Sequence, residues 1–544
     1  MGSGFLKSKS EHERTFIGME EMNRPVEEEQ QKPERFRARK AAYRLIFGRT
    51  ILMLILLLVQ ILVLIYVFRS TGRVVTIISS VLSFAMIIVI INRNGQDAYK
   101  ITWVLILAIL PVFGGLFYIF FELQPAMQDI RKRLNKANEE AKPFLVQNPG
   151  VIGDRVREND DMTGICSYLA DQGFPTWRNT STQYFSTGEQ YYEELLKQLA
   201  LARKYIFIEY FIVNEGEMLD GVLNILSRKA AEGVEIRFLY DGMSQFLKLP
   251  AGYTRILEGI GVHTRIYAPI HPVLTGMQNY RDHRKIVVID GETAFTGGIN
   301  LADEYINKKA RFGHWKDQGI RIQGEAVRNF TMAYLQMWNI AEKGQPENYR
   351  PYLNPPLPVM EADGYVVPYT DDPFNDEDVG EHVYLDILYK ARKYVHIMTP
   401  YLVIGSEMVQ ALTFAAKRGV DVELIIPHIP DKKYAFLVAR TYYRVLLEAG
   451  VKVYEYTPGF IHSKSFVSDD RKAVVGSINL DYRSLYLHFE DAVLFFDTDT
   501  VLDAEKDFIE TRGLSQEITM EDYQKISRVS ILTGRILRLF APLL

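Results

Sequence analysis

One cysteine, Cys166, stands in 544 residues, which excludes an internal disulfide framework and fits a reducing compartment. Cations are not in excess: 63 lysines and arginines face 67 aspartates and glutamates, so nothing points to a general polyanion binder and no nucleic-acid partner is expected. The soluble part lacks GxGxxG and GxxxxGK[ST] loops, so no nucleotide phosphoanhydride is expected to drive the chemistry. A cysteine cluster and His-x3-His spacing are missing too, and no metal or other cofactor is expected. Nor is there a secretory signal: about fifty mostly polar residues precede the first apolar run, and no small-residue cleavage site follows it.

Charge is also absent from three long apolar runs, 51–68, 74–91 and 101–121. Each approaches the ~20 apolar residues that cross a bilayer. A multi-pass membrane region over 49–122 is expected, with two or three transmembrane or re-entrant segments. Pro111, Gly114 and Gly115 interrupt the third run, which is read as kinked or re-entrant. Basic flanks lie before the first run and after the third; from the second of these and the lone cysteine the remainder of the chain is expected on the cytoplasmic side of the membrane. Residues 1–48 form a polar arm ending in the first basic flank, and 123–180 a helical linker.

Beyond the linker the sequence repeats itself. "LALARKYIFIEYFIV" parallels "LYKARKYVHIMTPYLV", "AAEGVEIRFLYD" parallels "AKRGVDVELIIP", and "LEGIGVHTRIY" parallels "LEAGVKVYEY". The last two pairs read helix, glycine cap, strand, which argues for two α/β lobes of helix-flanked sheet over 181–350 and 351–516. Both series close on the same constellation. His283-x-Lys285-x4-Asp290 is followed by Gly297 and Asn300, and His462-x-Lys464-x4-Asp469 by Gly476 and Asn479, with glycine fourteen and asparagine seventeen residues after the histidine each time. One such pattern is weak; the doubling with equal spacing is strong.

Residues two apart on a strand share a face, so each histidine and its lysine are expected side by side. The lysine suits phosphate oxygens, and the imidazole suits a nucleophile or proton carrier. Asp290 and Asp469 are read as acceptors for the imidazole N–H. Gly297, Gly476, Ser477, Asn300 and Asn479 are read as phosphate-holding turns, with Gly298 standing where the second lobe has Ser477. Two lobes facing across a pseudo-twofold axis would set one histidine on each side of a phosphorus, which permits double displacement through a phosphohistidine. Asp317 and Glu490 are candidate supports behind the histidines. His314 is read as structural, while His263, His271, His396 and His428 carry no pattern.

This doubled motif resembles that of the phospholipase D superfamily, and within it that of the bacterial cardiolipin synthases. The likeness runs from about Val74 to the end and includes "TPYLVIGSEMVQAL", "HSKSFVSDDRKAVVGSINLDYRS" and the closing "FAPLL". It implies two tandem phospholipase D-like lobes behind N-terminal transmembrane helices. The implied reaction moves a phosphatidyl group from one phosphatidylglycerol to another, giving cardiolipin and glycerol. The implied catalytic positions are His283, Lys285, Asp290, His462, Lys464 and Asp469, with His283 as nucleophile. A hydrolytic phospholipase D, a phosphatidylserine synthase and a catalytically dead membrane scaffold are the alternatives, and an oligomer stays open. The segment 517–544 forms an amphipathic helix, with Val529, Leu532, Ile536 and Leu539 on one face and Arg528, Arg535 and Arg538 beside it. It is read equally as lying on anionic lipid or as packing on the lobes.

Overall fold

β-branched and aromatic runs of the two repeats build two sheets with one strand order. In the first repeat these are β1 (Thr180–Phe185), β2 (Tyr205–Tyr210), β3 (Glu235–Asp241), β4 (His263–Tyr267), β5 (Lys285–Ile289), β6 (Thr293–Gly297), β7 (His314–Lys316) and β8 (Gly319–Gly324). In the second they are β9 (Tyr365–Asp371), β10 (Tyr394–Met398), β11 (Leu402–Val403), β12 (Asp421–Pro427), β13 (Lys452–Tyr456), β14 (Gly459–Ile461), β15 (Ser465–Ser468), β16 (Lys472–Gly476), β17 (Leu480–Asp481), β18 (Glu490–Phe496) and β19 (Ser515–Ile518). The first sheet runs β1-β8-β6-β5-β2-β3-β4, and the second, read from its opposite edge, β9-β18-β16-β15-β10-β12-β13-β19. Strand for strand the two match, and β19 is an addition to the second.

Pairing is mixed in the same places. β2–β3–β4 and β10–β12–β13 are parallel, joined by helices such as Glu217–Ala231 and Ser406–Lys417, and the remaining pairs within these two sheets are antiparallel. β2 and β5 are buried at every position, which explains their largely apolar reading, broken only by Glu209 and Lys285. The expected glycine caps are present at matching points: Gly233 and Gly419 follow the crossover helices with φ of +89° and +93°, a conformation that costs other residues energy.

The structure, a computed structural model, describes residues 73–93, 95–110, 125–157, 160–270, 279–341, 348–353, 362–375 and 377–543, with a few isolated positions besides. The chain divides into two compact units, 1–79 with 272–274 and 80–271 with 275–544. Both lobes therefore lie in one unit. The reason is a shared core, where Ile286, Val288 and Ala294 of the first sheet pack with Val467, Val475 and Val493 of the second.

The stretch 123–180 proves to be more than a linker. It forms helices Pro125–Ala141, Pro149–Arg157 and Met162–Asp171. Met162, Ile165, Cys166 and Leu169 are buried in the core of the second lobe, and Leu134 and Ala141 in the shared core. The apolar run 51–68 lies outside the described residues apart from isolated positions. The second run is a helix, Arg73–Asn92, and the third begins as Asp97–Ile109 and stops one residue short of Leu110-Pro111, where a proline break was expected. Among the described residues no helix is long and apolar enough to cross a membrane.

The two readings of the C-terminal helix, Arg528–Arg538, turn out to be compatible. Gly534 packs on the helix Lys433–Ala449 so closely that a Cβ there would lie 2.3 Å from the Leu437 carbonyl oxygen, and Arg538 sits 4.0 Å over the Tyr442 ring. Val529, Leu532, Ile536 and Leu539 nevertheless remain exposed.

Candidate active site

Each motif histidine is positioned by the other lobe. His283 stands just before β5, and its backbone N–H donates to the Phe489 carbonyl at 2.9 Å; His462 follows β14, and its N–H donates to the Lys316 carbonyl at 2.7 Å. These bonds belong to short parallel pairings between lobes, Asp282 with Phe489 and β14 with β7. The next residue along each partner strand is a carboxylate. Glu490 Oε2 and Oε1 accept from His283 Nδ1 at 2.8 and 2.9 Å, and Asp317 Oδ2 accepts from His462 Nδ1 at 2.7 Å. The Lys464 ammonium also reaches His462 Nδ1 at 2.8 Å, but the single hydrogen there has the carboxylate as its acceptor. With Nδ1 so occupied, Nε2 of each ring is the nitrogen left for chemistry.

One residue further on, Asp491 and Gln318 hold the motif lysines from behind. Asp491 Oδ1 accepts the Lys285 N–H at 3.2 Å, and the Gln318 amide brackets the Lys464 backbone, accepting its N–H at 3.1 Å and donating to its carbonyl at 2.8 Å. Both lysine side chains are buried and fold back, Lys285 Nζ donating to the His283 carbonyl and Lys464 Nζ to the His462 carbonyl. Histidine and lysine are thus neighbours in each half, as expected from the spacing.

Asp290 and Asp469 correct that reading, because neither meets an imidazole. Each sits at a hairpin tip with positive φ, +55° and +58°, which aspartate tolerates better than most residues. From there the Asp290 carboxylate accepts the N–H groups of Arg203, Lys204 and Tyr205 at 2.8, 2.7 and 2.9 Å. Asp469 does the same for Arg392, Lys393 and Tyr394 at 2.8, 2.8 and 3.0 Å. They pin the start of the central strands β2 and β10. The imidazole acceptors are instead Asp317 and Glu490.

The turn residues also do other work. A Cβ on Gly297 would meet the Gln318 carbonyl oxygen at 2.5 Å, and one on Gly476 the Asp491 carbonyl oxygen at 2.3 Å, so both glycines let neighbouring strands approach closely. Ser477 Oγ donates to Glu490 Oε2. The first lobe has no room for that hydroxyl, since a Cβ on Gly298 would lie 2.0 Å from Asp317 Oδ1. Asn300 spends its amide on the Ile212 N–H and the Tyr305 hydroxyl, at 3.0 and 2.7 Å. Asn479 differs: its buried Oδ1 has no hydrogen-bond partner. His314 pairs with the Tyr456 hydroxyl at 2.9 Å, a structural contact.

Burial pushes both motif imidazoles well below their ordinary range, and the ammonium charges of Lys285 and Lys464 push further in the same direction. The same burial brings Lys285 down to about 8 and Lys464 to about 7, against the pull of Glu490 and Asp317. Asp317 is raised to about 7, with Lys464 opposing. An anionic phosphodiester would relieve this crowding of positive charge. His488, which carried no reading in the sequence, belongs to the site as well: its ring lies 5.6 Å from that of His283. Its position two residues before Glu490, matching Trp315 two before Asp317, was the available signal.

Fold and repeated motif together define an enzyme of the phospholipase D superfamily. A family profile described as "Cardiolipin synthase, PLD-like domain" matches residues 195–313 and 384–512, once in each lobe, and one described as "Phospholipase D-nuclease N-terminal" matches 81–122. The chain is 33% identical over 460 residues to a cardiolipin synthase of Halalkalibacterium halodurans, covering 84% of this chain and 91% of that one. It is 34% identical over 481 residues to a cardiolipin synthase of Geobacillus kaustophilus, covering 87% and 95%. An uncharacterized protein of Streptococcus mutans is 45% identical over 459 residues, covering 84% and 99%. Among solved structures, phosphatidylserine synthase of Haemophilus influenzae superposes with a TM-score of 0.50 at 15% identity, over 66% of this chain and 93% of that one, a likeness of fold. The chain belongs to the cardiolipin synthase family, and is a phosphatidyltransferase.

Proposed function

We propose that the enzyme transfers a phosphatidyl group between two phosphatidylglycerol molecules, releasing glycerol and forming cardiolipin through a phosphohistidine. The crossed pairs His283–Glu490 and His462–Asp317 carry this reading. Two imidazoles oriented through Nδ1 by carboxylates of opposite lobes suit attack on one phosphorus from two sides. In the first step His462 enters as imidazolium, protonated on both nitrogens beside the bound phosphodiester anion; Nε2 of His283 bonds to phosphorus, the bond to the headgroup oxygen breaks, and Nε2 of His462 gives that oxygen its proton. In the second, His462 takes the proton of the acceptor's terminal hydroxyl, that oxygen bonds to phosphorus, and His283 leaves. One phosphodiester replaces another, so the reaction is close to balanced and reversible.

The membrane setting is part of the proposal. Val81, Leu82, Phe84, Ile88, Val89 and Ile91 are exposed on one helix, and Val529, Leu532, Ile536 and Leu539 on another. Trp103 and Leu107 pack against Ile90, and the Thr102 hydroxyl donates to the Leu539 carbonyl at 3.0 Å, which joins the two regions. We read these surfaces as lying in the bilayer, with Arg528 and Arg535 at anionic headgroups and the lobes on the cytoplasmic side.

The test is purified protein with phosphatidylglycerol alone. Cardiolipin and glycerol should appear in equal amounts, and excess glycerol should reverse the reaction. Phosphatidic acid as main product would make the protein a hydrolase; a requirement for a cytidine-diphosphate lipid would place it in another synthase branch.

A further inference from the structure

Most groups suited to holding a phosphate are engaged within the protein. Asn300 and Ser477 are spent on Tyr305 and Glu490, and the Lys285 and Lys464 ammonium groups each donate to a histidine carbonyl. Apart from Asn479, whose unpartnered Oδ1 can only accept, two side chains beside the motif rings are not so engaged. Trp315 Nε1 and both ring nitrogens of His488 are buried without a hydrogen-bond partner. The residues are 6% and 9% exposed. His488 Nδ1 lies 3.7 Å from Glu490 Oε1, too far for a hydrogen bond.

The two occupy one position in the two halves, each preceding its carboxylate by two residues. Their geometry repeats as well. The Trp315 ring is 5.5 Å from that of His462 at 45°, and the His488 ring 5.6 Å from that of His283 at 40°. Their other ring neighbours include Tyr305 and Phe460 for Trp315, and Phe211 for His488. A buried N–H without an acceptor is destabilising and rare in native interiors. Two at equivalent places, where a phenyl ring would pack without that penalty, point to an acceptor that arrives with the substrate. An indole N–H only donates, so the function shared by the pair is donation. Between two histidines and two lysines the fitting acceptor is a phosphoryl oxygen.

We propose that Trp315 and His488 are a pair of uncharged N–H donors, one from each half, that hold the non-bridging oxygens of the transferring phosphoryl group. The assignment rests on the reading above that a phosphodiester is the substrate. Being neutral, the pair adds hydrogen bonds without adding charge that would further disfavour imidazolium in either histidine. Burial brings His488 down to about 3, so its ring stays neutral through the working range.

The experiment uses full-length protein in detergent with His488→Phe, Trp315→Phe and His488→Asn. Each phenylalanine variant should lose about 10²-fold in kcat, the usual effect of deleting one oxyanion donor, while His488→Asn, which keeps an N–H, stays within about tenfold of wild type. Orthovanadate, which adopts the five-coordinate geometry of the reacting phosphorus, supplies a readout without lipid. Its equilibrium affinity should fall about tenfold or more in His488→Phe and be restored in His488→Asn. Wild-type kcat and unchanged vanadate affinity in His488→Phe overturn the proposal, as does an Asn variant no better than Phe on both measures. Wild-type protein that binds vanadate in a His488-dependent way yet forms no cardiolipin leaves the donor pair standing and removes the substrate reading instead.

Discussion

The two halves of the site share a backbone and differ in almost every side chain that supports the histidines. Around His283 stand Glu490, Ser477, Asp491 and His488; around His462 stand Asp317, Gly298, Gln318 and Trp315. The exchanges compensate one another. The longer glutamate is steadied by a serine hydroxyl, whereas the shorter aspartate fills the volume that this hydroxyl would need. Asp491 and Gln318 take the same backbone N–H with different groups. What the halves hold in common is therefore geometric: an oxygen at Nδ1 and a tethered lysine beside the ring. Charge, polarity and size around that frame are free to diverge, which lets two descendants of one repeat take different roles.

The largest effects should come from removing what the halves share. His283→Ala and His462→Ala should each lower kcat by about 10⁴-fold or more, and the two together no further than the worse single change, because the proposed mechanism has both act on one phosphorus. Appreciable turnover in either single variant, measured with phosphatidylglycerol alone, breaks the equivalence. Glu490→Gln and Asp317→Asn should follow at about 10³-fold, since each leaves a histidine with the wrong acceptor. Trapping labelled phosphoenzyme sharpens the comparison: Glu490→Gln should impair its formation at His283, and label appearing on His462 would reverse the roles.

Swapping the compensating residues comes next. Gly298→Ala forces a carbon against Asp317 and should cost about 10²-fold in kcat, while Ser477→Ala, which removes one hydrogen bond to Glu490, should cost about tenfold. Equal losses in the two would mean that volume and polarity do not divide between the halves as described.

The pH profile should be limited by the lysines on its alkaline side. Both ammonium groups have lowered pKa values, so their charge is present at low pH and is lost as pH rises through about 7 for Lys464 and about 8 for Lys285. Activity should therefore decline above about 7, and Lys464→Arg, charged throughout, should move that limb upward in whatever activity it retains. A profile flat to pH 9 in the wild type refutes this.

The smallest catalytic effects belong to the motif aspartates. Asp290→Ala should cost about 3 kcal/mol of stability, because three backbone N–H groups lose a charged acceptor, while kcat per folded molecule changes little. Asp469 is less buried than Asp290, so its loss should be milder. Chemical denaturation alongside kcat tests both; a collapse of kcat in stable protein would return these residues to the chemistry.

The repeat was readable because backbone requirements recur at fixed spacing. The buried strands, the glycine caps and the aspartates at the hairpin tips all mark the chain locally, and they locate the histidines and lysines. The crossed pairs were harder to see, since Glu490 is 207 residues from His283 and Asp317 is 145 from His462. Local spacing put Asp290 nearest to hand as an imidazole acceptor, and its positive φ, which turns it toward the start of β2, leaves no trace in the motif. Ser477 looks free in sequence because its acceptor, Glu490, lies on another strand, and Asn300 because it accepts from the distant Ile212 N–H while donating to Tyr305.

The crossing has a consequence during synthesis. A ribosome that has completed the first lobe has made His283 and Lys285 but not Glu490, and the half-site stays unarmed until nearly all of the chain has emerged. Products truncated before Glu490 would carry His283 without the carboxylate that orients it.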